Sequence, residues 1–194
     1  MNDDPRPPRD VAPADVHLEE TPIDGRGVFD GKLLHARSDT VRLPDGGTAT
    51  REYIVHSGAV LIIPVLADGR FVVTRQFRYP LNRVLVEFPA GKLDPGELPL
   101  ETAQRELREE TGYRATRWTR LGLIHPVVSY STEFIEFYVA GDLTHVGQKL
   151  DEGEFLDVEA ITIDALLEAV DRGEITDAKT LAALLLYQRR AAPR

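Results

Sequence analysis

The chain has 194 residues, 42% of them hydrophobic and 28% charged, with a net charge of −9. That is enough for one globular domain with a full core and a small appendage, while the acidic balance excludes a nucleic-acid surface, which needs clustered lysine and arginine. The lack of cysteine excludes disulfides, zinc-thiolate sites and thiol nucleophiles.

Residues 1–15 hold four prolines, four aspartates and two arginines; such a segment buries little and reads as a mobile tail. No apolar segment follows the first charges, so this end does not read as a secretory signal. The longest apolar run, Ala59 to Ala67, is broken by Pro64 and falls short of the roughly 20 residues that cross a bilayer. The expected location is the cytoplasm, with no membrane partner.

Residues 16–56 read as short strands with turns at Asp24-Gly25 and Asp45-Gly46-Gly47. Val28, Leu33 and Leu34 fall in one strand region, Val41 and Leu43 in the next, Tyr53 and Val55 in a third. So short a hairpin region has no core of its own and is expected to pack on the main domain, residues 57–194, or on another subunit.

Gly58 to Leu66 reads as a buried strand, Arg70 to Phe77 as its neighbour and Val84 to Phe88 as a third. A helix is predicted over Pro99 to Thr111, with proline at its first position and Gly112 as the left-handed residue past its end. Strands follow at Arg117–Ile124, Glu133–Ala140 and Phe155–Ile163. Two helices close the chain, Asp164–Arg172 and Asp177–Arg189, each opened by an aspartate cap. Leu181, Leu184, Leu185 and Tyr187 form the docking face of the last. Strands, one central helix, then strands and closing helices predict an α/β (α+β) fold, a mixed sheet covered by helices.

The stretch Gly91 to Tyr113 carries six acidic residues, Asp94, Glu97, Glu101, Glu106, Glu109 and Glu110. Leu100, Ala103 and Leu107 recur at helical spacing and are expected to face the core. Glu106 and Glu110 are four apart, hence neighbours, with Glu109 beside them. Each like-charged pair at that spacing destabilises a helix by roughly 0.2–0.5 kcal/mol, and the C-terminal end of the dipole disfavours anions further. Two readings account for the cluster: a solvated face with incidental charge, or a site for a divalent cation. An all-oxygen donor set selects Mg²⁺, Mn²⁺ or Ca²⁺ over zinc, and Mg²⁺ characteristically brings substrate phosphates with it.

Gly91, Glu97, Arg105-Glu106, Leu107, Glu109-Glu110, Gly112 and Tyr113 stand in a pattern that resembles the Nudix box; Tyr113 replaces the usual aliphatic residue at its end. The resemblance implies a Nudix fold and metal-assisted hydrolysis of a nucleoside diphosphate linked to another group. It implies that Glu106 and Glu110 hold Mg²⁺, or Mn²⁺, with two or three ions per site and Glu109 beside them at the catalytic centre. Glu97 and Arg105 resemble the internal ion pair that orients the helix. Glu87-Phe88-Pro89-Ala90-Gly91 is similar to the segment preceding the box in ADP-ribose pyrophosphatases, which makes the Ala90 carbonyl a metal ligand. In that branch the N-terminal hairpins build a domain-swapped homodimer.

By the same likeness Arg51, Glu52, Arg78, Lys92 and Glu133 are substrate-contacting positions. In the segment Asp151-Glu152-Gly153-Glu154, Glu152 matches the catalytic base and Glu154 a further metal ligand. Each of these charges has a plain alternative as surface polarity. The loop Pro126 to Glu133 lacks the Pro-Gly form common in the branch, which bears on the terminal sugar. The implied reaction converts ADP-ribose to AMP and ribose 5-phosphate. The alternatives are another nucleoside diphosphate sugar, of the GDP-mannose or ADP-glucose type, and a non-catalytic nucleotide-sugar sensor.

Overall fold

The computed structural model describes residues 5–190. The chain forms two compact units, one made of the residues up to Gly58 together with Val127–Phe134, the other of Ala59–Pro126 and the residues from Ile135 onward. The first four residues of the expected tail lie outside the described residues; further along it a 3-10 helix spans Pro13–Leu18, and Arg9 pairs with Glu19 at 2.5 Å.

In the first unit β1 (Thr21–Asp30), β2 (His35–Arg42) and β3 (Thr48–Val55) form an antiparallel sheet in chain order. Asp45-Gly46-Gly47 makes the β2–β3 turn, with Gly46 at φ 87° and the Gly47 N–H on the Asp45 carboxylate at 2.9 Å. Asp24-Gly25 makes no turn. It lies inside β1 opposite Thr40 and Asp39, beside a register shift. A Cβ on Gly25 would stand 2.0 Å from Asp39 Oδ1, so close approach, not chain reversal, is why glycine is there. Leu33 and Leu34 sit in the β1–β2 connection, not in a strand. The loop Val127–Phe134 lies alongside the end of β3: Ile54 donates to the Tyr130 carbonyl at 2.9 Å and Thr132 donates back to the Ile54 carbonyl at 3.0 Å.

This sheet has almost no interior. Among its described hydrophobic residues Val41 alone is buried, while β1 is exposed along its whole length, including Ile23, Val28 and Phe29. Its one buried carboxylate, Asp39, accepts from the Tyr53 hydroxyl at 2.8 Å and pairs with Arg37 at 3.4 Å.

The second unit holds β4 (Ala59–Pro64), β5 (Phe71–Arg78), β6 (Arg83–Glu87), β7 (Ala90–Lys92), α1 (Pro99–Thr111), β8 (Tyr113–Ile124), β9 (Ile135–His145), β10 (Leu156–Ile161), α2 (Ile163–Asp171) and α3 (Ala178–Arg190). Four strands form a mixed sheet in the order β7-β4-β9-β8, with β4 and β9 parallel; three form an antiparallel sheet, β10-β5-β6. β7 is too short to show a period and has no sequence signature of its own.

β4 explains the layering. Its residues are buried on both faces, as a continuous apolar run requires. Leu61 and Ile63 point to one core with Phe71, Val73, Phe137, Leu166 and Leu184; Val60 and Ile62 point to the other with Ala103, Leu107, Tyr138 and Ala140. Helix α1 therefore covers one face of the mixed sheet, while α2 and α3 belong to the core on the other. Three local expectations fail. Leu100 is 38% exposed and the inward first-turn residue is Thr102. Leu185 is 59% exposed. Helix α2 is capped by Thr162, whose side chain accepts from the Ala165 N–H at 3.2 Å, and not by Asp164, which lies in its first turn.

Candidate active site

Helix α1 is fixed at both ends. At its start Glu101 reaches back to the Leu98 N–H at 3.2 Å, half of a capping box, since leucine offers no return acceptor. At its end Gly112 is left-handed at φ 74°, where a Cβ would meet Gln148 N at 2.7 Å. The segment after β9 satisfies the exposed carbonyls: Val146 N donates to Gly112, Gln148 Nε2 to Glu110 and Lys149 N to Glu109, at 2.7, 2.6 and 3.1 Å. This lacing brings the loop 146–154 to the acidic helix end and supplies donors where the dipole is negative.

Arg105 neutralises the cluster from one side. Its guanidinium is bidentate on Glu97 at 3.0 Å through both nitrogens and also reaches Glu106 at 2.8 Å and Glu109 at 3.1 Å. It donates a further bond to the Lys92 carbonyl at 3.2 Å, which ties β7 to the helix. The Arg105 guanidinium, with Thr102 adding a hydrogen bond at 2.8 Å, holds the Glu97 carboxyl down to a pKa of about 2.

Glu106 and Glu110 face inward. Glu110 is 5% exposed, with the Ala90 N–H on Oε2 at 3.1 Å. Burial first, and then the charges of Glu106 and Glu154, push its pKa up to about 8; the Ala90 N–H and Arg78 pull the other way. Burial likewise raises Glu106, with Glu109 and Glu154 adding to the effect and Arg105 opposing it. A Cβ on Gly91 would lie 1.8 Å from Glu106 Oε1, so glycine is needed for β7 to pass that carboxylate. Ala90, Glu106, Glu110 and Glu154 thus share one electrostatic neighbourhood. Among the described residues no three acidic or histidine side chains already enclose an ion-sized space. The donor set still fits a hard cation: crowded carboxylates, partly buried, lie beside Arg105, which is already shared among Glu97, Glu106 and Glu109, and added positive charge favours their ionised forms.

Glu152 is exposed, in a turn where Glu154 N bonds to the Asp151 carbonyl at 3.1 Å and Gly153 is left-handed at φ 85°. Of the two loop glutamates, Glu154 is the one whose charge Glu106 and Glu110 feel. Arg78 lies in the same neighbourhood as Glu110, yet its guanidinium is bidentate on Glu87 at 2.7 and 2.8 Å. Arg51, Glu52 and Glu133 belong to the first unit. There Arg51 pairs with Glu20 at 2.5 Å, Glu52 lies opposite Ser38 in the sheet, and Glu133 stands 4.0 Å from His56 Nε2.

One charged group escapes sequence reasoning. Glu87, 2% exposed, is gripped by both Arg78 and Lys179, and Lys179 also bonds Asp177 at 2.9 Å. Asp177 caps α3 through the Thr180 N–H at 3.0 Å, and Thr180 Oγ1 accepts from the Phe88 N–H at 3.1 Å. Burial opposes the Glu87 charge, but the two cations more than offset it and keep the carboxyl below its ordinary value. The available signal was a glutamate between Val86 and Phe88 in an otherwise apolar strand end.

Residues 55–184 match the NUDIX domain, and residues 20–54 match the nucleoside diphosphate sugar hydrolase N-terminal domain. The chain belongs to the Nudix family. An ADP-ribose pyrophosphatase of Bacillus subtilis (strain 168) is 38% identical over 177 residues, covering 90% of this chain and 96% of the relative. A methanol dehydrogenase activator of Bacillus methanolicus is also 38% identical, over 88% of this chain and 94% of its own. An ADP-ribose pyrophosphatase of Mycobacterium tuberculosis is 36% identical over 84% of this chain and 80% of its own. A crystal structure of an ADP compounds hydrolase superposes with a TM-score of 0.80 at 23% identity, over 94% of this chain and 96% of that one, which shows the Nudix fold. Nudix hydrolases use divalent metal ions, and among the described residues no helix is long and apolar enough to cross a membrane.

Proposed function

We propose that the protein is a Nudix hydrolase that splits the diphosphate of ADP-ribose into AMP and ribose 5-phosphate with Mg²⁺, Mn²⁺ serving as a substitute. The observation that carries the reading is that Glu110 and Glu106 both face strand β7, Glu110 accepting from the Ala90 N–H at 3.1 Å and Glu106 packed on Gly91, with the charge of Glu154 acting on both. Glu106, Glu110, Glu154 and the Ala90 carbonyl are the proposed holders of two or three ions. When bound, such ions neutralise a diphosphate and acidify the attacking water. Glu152, on its glycine-flexed loop, is the proposed base, within reach of the site once that loop closes. Glu109 supports the ligands from beside them, and Glu97 with Arg105 holds the helix in place. Arg78 takes a phosphate oxygen, for which its planar fork is suited. Arg51, Glu52 and Glu133 recognise the rest of the substrate, with the Lys92 backbone nearby.

The N-terminal unit, residues 16–56, is proposed to form a homodimer around the hydrolase domain of residues 57–194. Its support is an exposed β1 carrying Ile23, Val28 and Phe29 on a sheet with almost no core of its own. A wider substrate range among nucleoside diphosphate sugars is the second reading, favoured by the match of residues 20–54 to the nucleoside diphosphate sugar hydrolase N-terminal domain. A panel of ADP-ribose, ADP-glucose and GDP-mannose with Mg²⁺, resolved by chromatography, separates the two. AMP and ribose 5-phosphate from ADP-ribose are expected; an untouched ADP-ribose beside a cleaved sugar nucleotide would move the assignment.

A further inference from the structure

Arg78 poses an electrostatic problem. It is proposed to take a phosphate oxygen of the substrate, yet in this structure the Nε–Nη2 edge of its guanidinium, the one that makes the bidentate grip, is held by Glu87. Glu87 is a buried carboxylate, 2% exposed, and a buried charge stripped of its partner is strongly unfavourable. Were Arg78 its sole partner, leaving for substrate would strand that charge. Lys179 removes the obstacle. Its ammonium contacts Glu87 Oε2, the same oxygen that Arg78 Nη2 reaches at 2.8 Å. It is itself held by Asp177 at 2.9 Å, and Asp177 is anchored on Thr180 at the start of α3. The Lys179 side chain is 17% exposed and held by two carboxylates, whereas that of Arg78 is 39% exposed and bonds Glu87 alone.

We propose that Lys179 is the standby counter-ion of Glu87, a positioning residue that keeps the carboxylate paired while Arg78 transfers to the substrate's diphosphate. The proposal rests on the reading of Arg78 as a diphosphate contact. Glu87 then serves as the parking place of Arg78: it orients the guanidinium beside Glu110 when the site is empty and releases it without stranding a charge.

The test is a set of variants of the full chain, followed by steady-state hydrolysis of ADP-ribose with Mg²⁺ and by thermal unfolding without substrate. Lys179→Met is expected to raise KM about tenfold and leave kcat within about twofold, because Arg78 now stays on Glu87. Lys179→Arg restores KM to within about threefold of wild type, since it replaces the charge. The deciding variant is Glu87→Gln with Lys179→Met. With the carboxylate gone, Arg78 is released and KM returns toward wild type. A double variant no better than Lys179→Met alone would overturn the proposal and leave Lys179 a structural residue.

The unfolding arm does not depend on the substrate. Arg78→Met and Lys179→Met each leave Glu87 one partner and lower Tm by about 3 °C, while the pair together lowers it by about 10 °C or more. Additive losses would contradict mutual backup. If wild type leaves ADP-ribose intact while the unfolding losses are non-additive, the substrate reading falls and the standby pairing stands.

Discussion

The N-terminal sheet and the acidic helix of the second unit solve opposite problems. In α1 two of the charges point inward: Glu110 is 5% exposed and Glu106 packs on Gly91, while the apolar residues Ala103 and Leu107 are wholly buried. In the sheet the apolar residues point outward, with Phe29 59% and Val28 51% exposed on a strand that has no covered face. The helix holds its charges with Arg105 on Glu106 and Glu109 and with the Ala90 N–H on Glu110. The exposed apolar surface of the sheet is the face a second copy is proposed to cover. One region is thus proposed to be completed by cations and the other by a second copy of the chain.

The sharpest way to break this contrast is Glu110→Gln. It keeps the shape of a side chain whose charge burial already disfavours, so the metal-free fold stays near wild type. Turnover with Mg²⁺ is expected to fall on the order of 10³-fold; near-wild-type kcat in a folded variant would remove Glu110 from the site.

Next comes the pair Leu107→Ala and Phe29→Asp. Leu107 is fully buried between α1 and β4, and its truncation is expected to lose about 2–5 kcal/mol in urea unfolding. Phe29→Asp leaves the far-UV spectrum unchanged and shifts sedimentation from dimer to monomer. An unshifted dimer would place the interface elsewhere.

Gly91→Ala has a smaller effect. Its methyl group meets Glu106 Oε1, moves that carboxylate, and lowers kcat about 10–100-fold with the fold intact.

The smallest effect concerns acid stability. Glu97 has its pKa depressed to about 2 by Arg105 in the folded protein. A depressed carboxyl contributes stability that is fully present above the ordinary carboxyl range and is lost as pH falls toward 2. Glu97→Gln should therefore be less stable than wild type at pH 6, with the gap narrowing below the ordinary carboxyl range and closing only as pH falls through about 2; a constant gap would show that the pairing contributes through something other than charge.

The two regions also differ in how much of them was legible in the sequence. The limits of α1, with Pro99 at its start and left-handed Gly112 past its end, follow from local chemistry. So does β4, because a run that is apolar at every position fits only a strand covered on both faces. Leu100 misled because helical spacing cannot tell which of two adjacent stripes meets the sheet; Thr102, bonded to Glu97, takes the inner position. Asp24-Gly25 misled for a similar reason. The dipeptide has turn chemistry, but glycine is required there by the approach of Asp39 from β2. Within the site, the glutamates of the box are legible because they sit within one helical turn of each other. The Glu87–Lys179 pair is not, because 92 residues separate its members and no period links them.

The central claim is that the carboxylates of α1 and the following acidic loop form one cation site. Its most direct test is a Mn²⁺ titration followed by electron paramagnetic resonance, comparing wild type with the Glu106→Gln, Glu110→Gln double variant. Wild type should remove free Mn²⁺ signal saturably, and the double variant should leave it nearly untouched at the same protein concentration. Equal uptake by the two proteins would contradict the account.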